Sequence, residues 1–302
     1  MRDSQPQTLD IHPMEPRLIA EDITIVIPTL GRPILEESLS WIVKGSTWPR
    51  GIVVVDQSSS SQVAAWIEKL CTLGIHARHI PSNQRGRAAG INRGLEQVET
   101  RFVAITDDDC FVETEWLEQM VAHLRQHPEG IVTGRVEAAG DDMIVVVTSR
   151  EPAIYRKPRL KFDSMSGGNM GTSMSVFKRV GFFDEHPSLA TAEDAELSYR
   201  ALRGGAYIVY TPEPGVRHFG WRDKNNRARQ YFSYARSHGG FYGKYLRKGD
   251  MFIALRAILH FGRALRRWVR GTVAGDEEMA LLGRAYVFGL LPGMLTGIRR
   301  ND

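Results

Sequence analysis

Cysteine is scarce, with Cys71 and Cys110 the two thiols in 302 residues. Neither has neighbours at metal-ligand spacing, which argues against a disulfide framework or a cysteine metal centre and makes a reducing compartment the default. No glycine-rich fingerprint of a dinucleotide or triphosphate site follows the first apolar run, so cofactor redox chemistry and triphosphate hydrolysis both lose ground. An unbroken apolar stretch of membrane-spanning length is missing too. Residues 279–298 come nearest, but Arg284, Pro292 and four glycines interrupt them, and an interfacial or buried position is expected rather than a full crossing. Residues 1–21 are broken by prolines and acids and show no signal-peptide pattern, so secretion is not expected.

Net charge is slight at +4, yet unevenly placed. Residues 217–270 carry fourteen Lys or Arg against Asp223 and Asp250, which points to an anionic partner or a solvated basic face. The length suits one large core with an attached element. Residues 1–21 read as an N-terminal arm. Beyond them, strands at 23–27, 52–55, 75–80 and 102–106 alternate with helices at 34–44, 64–70, 88–98 and 116–124. That rhythm predicts an α/β fold around a mostly parallel sheet. Ligands of such sheets bind beyond the carboxyl ends of the strands, where Pro28, Asp56 and the acids from Asp107 to Asp109 fall. After residue 131 the pattern turns irregular, with strands expected at 131–136, 143–147, 166–171 and 207–210 and a helix from Glu193.

Thr106-Asp-Asp-Asp-Cys110 sets three carboxylates at a strand exit, where they repel one another unless a cation or donors offset them. In an extended segment, Asp107 and Asp109 would share one face and Asp108 would point elsewhere. Oxygen donors suit Mg2+ or Mn2+ shared with substrate phosphates; an acidic helix cap would use the same residues. Asp56, at the end of a β-branched run, suits hydrogen bonds to a nucleoside or the start of an ordinary turn. Asn83-Gln-Arg-Gly-Arg87 sets Arg85 and Arg87 in a turn before a helix, placed to meet a diphosphate or to act as a structural loop.

Taken in order, these segments resemble the family 2 glycosyltransferases, whose fold is the GT-A nucleotide-sugar-binding fold. The resemblance rests on residues 23–27 with Pro28 and Thr29, on 53–58, on 83–95 with Asn92-Arg93-Gly94, and on Asp107-Asp108-Asp109. Gly168-Asn169-Met170, the run 176–185 (VFKRVGFFDE), and Glu193-Asp194 followed by Leu197 and Arg200 continue it. It implies a GT-A catalytic domain over 22–220, its nucleotide half reaching to about residue 130, followed by a helical basic extension over 221–302. The activity it implies is an inverting transfer of sugar from a nucleoside-diphosphate-sugar to an acceptor hydroxyl, in polysaccharide, glycolipid or other glycoconjugate synthesis. By this resemblance Pro28, Thr29, Arg32, Asp56, Asn83, Arg85, Arg87, Asp107 and Asp108 would hold the nucleotide-sugar. Asp109, Asp107 and His218 would hold the Mg2+ or Mn2+, and Gly168 and Asn169 the acceptor; Trp221 suits either stacking on an acceptor sugar or core packing. Asp194 would be the general base, with Glu193 orienting it or the acceptor. Glu196 stands where many relatives have a second Asp, which leaves its role open. Such chemistry needs one carboxylate to take the hydroxyl proton and a cation to stabilise the departing phosphate.

Within 251–270, Arg256, His260, Arg263, Arg267 and Arg270 recur every three or four residues opposite Leu255, Ile258, Leu265 and Trp268. An amphipathic basic helix at an anionic bilayer surface has this pattern. Arg227, Arg229 and Arg236 suit a phosphate-bearing acceptor such as a lipid-linked saccharide, or a solvated charged face. The expected location is cytoplasmic, peripheral on the cytoplasmic face of a membrane. Competing readings are a nucleotidyltransferase, a nucleic-acid-binding protein and a non-catalytic sugar-binding scaffold. No nucleic-acid-binding signature accompanies the basic run, so nucleic acid is not an expected partner.

Overall fold

Apolar, β-branched runs separated by short helices build the central sheet in the computed structural model, which describes residues 17–58, 60–139, 147–161, 163–219 and 226–300. Strands β1 (Leu18–Thr29), β2 (Thr47–Asp56), β3 (Ala77–Pro81) and β4 (Phe102–Thr106) lie parallel in the order β3-β2-β1-β4. Successive residues point to opposite faces, and both faces are buried: Ile25, Ile27, Ile52 and Val54 enter one core, Val26, Val53 and Val55 the other. Helices α1 (Ile34–Val43), α2 (Gln62–Thr72) and α4 (Trp116–Gln126) cover the first face. Helices α3 (Arg87–Leu95), α5 (Met174–Val180) and α6 (Glu193–Arg203) cover the second.

β1 runs past its expected limits at both ends. β1 starts at Leu18, inside the stretch read as an arm, because Leu18, Ile19 and Ala20 pair with β2. Pro28 does not stop it either. The Thr29 carbonyl accepts from Gln57 N on the β2 side, so Pro28 lacks its N–H on the opposite side, where pairing with β4 has already ended at Val26.

The second half is mixed rather than parallel. β9 (Asn169–Ser173) runs antiparallel between β4 and β6 (Gly130–Thr133), β10 (Tyr207–Tyr210) is parallel to β6, and β8 (Ala153–Tyr155) closes the edge antiparallel to β10. A smaller sheet has the order β5 (Cys110–Val112), β11 (Val216–His218), β7 (Val136–Ala138). Of the strand expected at 143–147, residues up to 146 lie outside the described residues; Val147 forms a bridge with Val136.

Helices α7 (Arg227–Leu246), α8 (Met251–Ala274) and α9 (Glu277–Ile298) form the extension. α7 and α9 meet backbone to backbone. A Cβ at Gly239 would lie 2.2 Å from Leu290 O, one at Gly293 2.1 Å from Arg236 O, and one at Gly297 2.2 Å from Gly240 O. Glycines spaced by four on both helices make this approach possible. The extension is anchored through Glu196, fully buried on α6, which accepts from Lys244 Nζ at 2.6 Å, Tyr245 Oη at 2.6 Å and Arg200 Nη2 at 2.9 Å. Glu196, whose role the sequence left open, is therefore a structural hub. Lys244 and Arg300 also bind Asp184, at 2.7 and 2.8 Å.

α8 is amphipathic as its periodicity requires, but over its first half the expected faces are exchanged, while Arg267 and Arg270 stay exposed. Arg256 turns inward to Asp163, Arg263 donates to Leu160 O at 3.1 Å, and His260 pairs with Tyr242 Oη at 2.8 Å. Leu255, Ile258 and Leu265 face outward.

Candidate active site

A cavity of about 670 Å3 opens where β1 and β4 end. Its donor-side wall begins at the acid turn. The chain bends directly after β4, with Cys110 N donating to Asp107 O at 3.1 Å, so the alternation of an extended strand does not apply. Asp108 and Asp109 consequently share one guanidinium and Asp107 takes another. Arg32 Nη2 donates to Asp109 Oδ2 at 2.9 Å and contacts Asp108, which also accepts from Thr29 Oγ1 at 2.7 Å. Asp107 and Asp109 both line the cavity but are held by different guanidinium groups, and Asp108 braces the turn against the end of β1.

β5 leaves this turn and pairs with β11 in the register Cys110↔His218, while Phe219 N donates to Asp109 O at 2.8 Å. That pairing brings His218 Nε2 to 3.5 Å from Asp109 Oδ1. Asp109, Cys110 and His218 offer ligand atoms within 4.8 Å of one another. Burial raises the Asp109 carboxyl above its ordinary value; His218 opposes the shift and the Asp107 charge reinforces it. A carboxylate with too little compensating charge, beside an imidazole, fits a divalent cation. The buried Cys110 thiol is pushed well above its usual range, by burial and then by Asp107 and Asp109, which keeps it neutral and a poor partner for a hard cation. Asp107, expected as a ligand, lies outside this group.

Asp107 belongs instead to Arg87, the first residue of α3. Gly86, at φ 117°, admits the turn into that helix, and Gln57 braces it by donating to Gln84 O at 2.7 Å and Gly86 O at 2.9 Å. Arg87 Nε donates to Asp107 Oδ1 at 2.7 Å and Nη1 to Glu193 Oε1 at 3.0 Å, so one cation joins acids from opposite walls. Burial works against its charge, but Asp107 and Glu193 outweigh burial and hold the guanidinium's value raised. Arg87 Nη2 and Glu193 Oε2 are buried without a hydrogen-bond partner among the described residues, as expected where a polar ligand supplies the missing contacts. Arg32 and Arg87, both expected at a diphosphate, are thus engaged by carboxylates. Arg85 lines the cavity, exposed, with no ion pair among the described residues.

The opposite wall is the first turn of α6. Asp194 Oδ2 accepts from Gly167 N at 3.0 Å and Oδ1 from Ala195 N at 2.7 Å. Burial raises Glu193 to about 7, with Arg87 opposing and Asp194 reinforcing; burial likewise raises Asp194 against the pull of Arg87. Gly168 forms part of the floor, where a Cβ would lie 2.8 Å from Asp107 Oδ2.

Three expected site residues do not line the cavity. Asn169 is fully buried, its amide donating to Arg135 O at 3.0 Å and Pro214 O at 2.6 Å and accepting from Trp116 Nε1 at 2.9 Å, so it ties strands together rather than meeting an acceptor. Asp56 is buried and does not line the cavity; it lies beside His79 Nε2 at 3.0 Å and Ser58 N at 2.8 Å, and its neighbour Gln57 lines the wall. Asn83 is exposed and does not line the cavity. Trp221 lies outside the described residues.

Tyr234 and His238 of α7 and Tyr286 of α9 supply a third wall that no sequence motif indicated. His238 Nε2 lies 3.5 Å from Asp163 Oδ2, and Asp163 also binds Arg256. Burial works against the His238 charge, but the Asp163 carboxylate leaves its value raised. Arg227, expected at the acceptor, pairs with Glu278 at 2.9 Å.

With two acidic walls facing each other at the carboxyl end of a mostly parallel sheet, the chain falls among the GT-A fold proteins, and it belongs to glycosyl transferase family 2, whose model matches residues 24–182. Among curated proteins it is similar to a pre-mycofactocin glycosyltransferase of Mycobacterium tuberculosis, 26% identical over an alignment of 232 positions, with 72% of this chain and 46% of that protein covered. A chondroitin synthase of Pasteurella multocida is 23% identical over 62% of this chain and 23% of its own length. The chain therefore spans less than half the length of these relatives. Among solved structures it resembles the mannosyltransferase PcManGT from Pyrobaculum calidifontis in complex with GDP-Man and Mn2+, with a TM-score of 0.62 at 15% identity over 97% of this chain and 89% of that one. S. aureus TarS aligns with a TM-score of 0.56 at 15% identity, covering 88% of this chain and 55% of that one.

Proposed function

We propose that the protein is an inverting glycosyltransferase that moves a sugar from a nucleoside-diphosphate-sugar to an acceptor hydroxyl. The observation that carries this reading is the pairing of two acid sets across one cavity, Asp107 to Asp109 on one wall and Glu193-Asp194 on the other, with Arg87 between them. Asp109 and His218 are the residues that would hold a divalent cation, Mg2+ or Mn2+. When bound, such an ion supplies positive charge to a leaving diphosphate. The solved mannosyltransferase that the fold resembles contains Mn2+ and GDP-Man, which supports the same donor class here. Arg85, which has no ion pair among the described residues, is suited to the diphosphate, and Thr29 and Gln57 lie on the nucleotide side.

Asp194 serves as general base. Its two backbone donors fix the carboxylate, which takes the acceptor proton as the hydroxyl oxygen attacks the anomeric carbon from the face opposite the diphosphate. Glu193, held by Arg87, sets the charge beside it. The wall of Tyr234, His238 and Tyr286 faces the acceptor, which makes the extension part of the acceptor site. Acceptor classes consistent with that wall are saccharides, lipid-linked saccharides and other alcohols. An exposed Cys71 and a buried Cys110, both free, suit the cytoplasm.

A panel of nucleoside-diphosphate-sugars, read by release of nucleoside diphosphate with Mg2+ or Mn2+, tests the reading. Asp109→Ala should lose metal-dependent donor binding. Asp194→Ala should keep donor binding and lose transfer by about 10²–10⁴-fold, the usual contribution of a general base. Full activity in both variants would overturn the assignment.

A further inference from the structure

The outward face of α8 is apolar, and nothing among the described residues covers it. Met251 (76% exposed), Leu255, Ile258 (69%), Leu265, Val269 and Val273 (83%) follow one another at helical spacing along its length. With 24 residues rising ~1.5 Å each, the stripe extends roughly 36 Å. Trp268 meets Phe288 of α9 with ring centroids 5.5 Å apart, and from Phe288 a second exposed stripe continues through Leu291, Leu295 and Ile298. Contiguous apolar surface of this extent marks an interaction site.

The charges beside it identify the partner. Arg266, Arg267 and Arg270 are exposed, have no ion pair among the described residues, and stand on a helix without a single acid. Along the chain the next acids are at the turn into α9, where Asp276 caps that helix and Glu278 binds Arg227. In a twofold contact between two copies of this face, arginines would meet arginines with no acid on α8 to separate them. An anionic lipid leaflet supplies both an apolar layer for the stripe and phosphates for the guanidinium groups.

By length and composition α9 is the one helix among the described residues able to cross a membrane, but its contacts tie it to the protein. Gly289, Gly293 and Gly297 press against α7, and Gly283 against Trp268 N of α8. α7 is in turn fastened to α6 through Lys244 and Glu196.

We propose that the solvent-facing stripes of α8 and α9 seat the protein on an anionic membrane surface, in the plane of the interface and without crossing it. This docking does not depend on the donor chemistry, so it stands or falls separately from the enzymatic reading.

Sedimentation of the full chain with phosphatidylcholine vesicles, with and without ~30 mol% phosphatidylglycerol, tests it. The expected result is recovery in the pellet with the anionic vesicles alone, weakened by high salt. Ile258→Asp with Val269→Asp, and separately Arg266→Gln with Arg270→Gln, should each reduce the bound fraction by about tenfold or more while leaving the melting temperature and lipid-free donor hydrolysis unchanged. Light scattering in lipid-free buffer provides the contrary outcome. A dimer that Ile258→Asp splits into monomers, or wild-type protein that stays in the supernatant with anionic vesicles, overturns the proposal.

Discussion

Arg87 is the residue on which the site's charges converge, since it binds Asp107 at 2.7 Å and Glu193 at 3.0 Å. Glu193, raised to about 7, changes protonation near neutrality. An acidic limb in kcat/KM is therefore expected around that pH, with activity rising as Glu193 ionises. Arg87→Gln removes the group that opposes the burial shift, so the limb should move to higher pH; a limb that stays in place would show that another group titrates. For stability the sign is the reverse. A carboxyl raised in the folded state stabilises the protein fully below its ordinary value of 4.5, and that contribution is lost as pH rises through about 7. The sequence made Asp107, Asp109 and Glu193-Asp194 recognisable as acids in the right order. It did not reveal that Arg32 and Arg87 are engaged by them, because those pairings join residues far apart in the chain. Asn169 misled for the same reason: its three partners come from other elements.

Among the elements, the glycine seam between α7 and α9 leaves no room for a side chain. Gly293→Leu should cost about 3 kcal/mol or more, because its Cβ would overlap a backbone carbonyl that cannot move independently of its helix. Urea denaturation measures this, and an unchanged midpoint would mean that the helices can separate freely. The strands of the first half were legible because each apolar run is buried on both faces. The direction of α8 was not. Its 3.6-residue period gives two faces, and the choice between them rests on Asp163 and Tyr242, which draw Arg256 and His260 inward.

At the scale of the molecule, the extension is held by buried charges. Asp184 and Glu196 both lie below their ordinary values: burial opposes the shift, but Arg300 and Lys244 prevail at the first, Arg200 and Lys244 at the second. Their stabilisation is present above the ordinary carboxylate range and is lost as pH falls through the depressed values. Hydrogen exchange of α7 amides should therefore accelerate in acid before that of β1 and β4. Glu196→Gln, which leaves Lys244 and Arg200 without their shared anion, should cost about 3 kcal/mol in the same urea assay. The family match ends at residue 182, ahead of the third wall of the cavity, so Tyr234, His238 and Tyr286 could be recognised only once the helices were folded back on the domain.

The guanidinium that spans the cavity has a bearing on redesign. Changing the charge at Asp107 to admit a different sugar nucleotide would alter what Arg87 offers Glu193, and with it the proton affinity next to the proposed base, Asp194. Selectivity and pH optimum are coupled in this scaffold, and a library that varies one wall alone will drift in the other property.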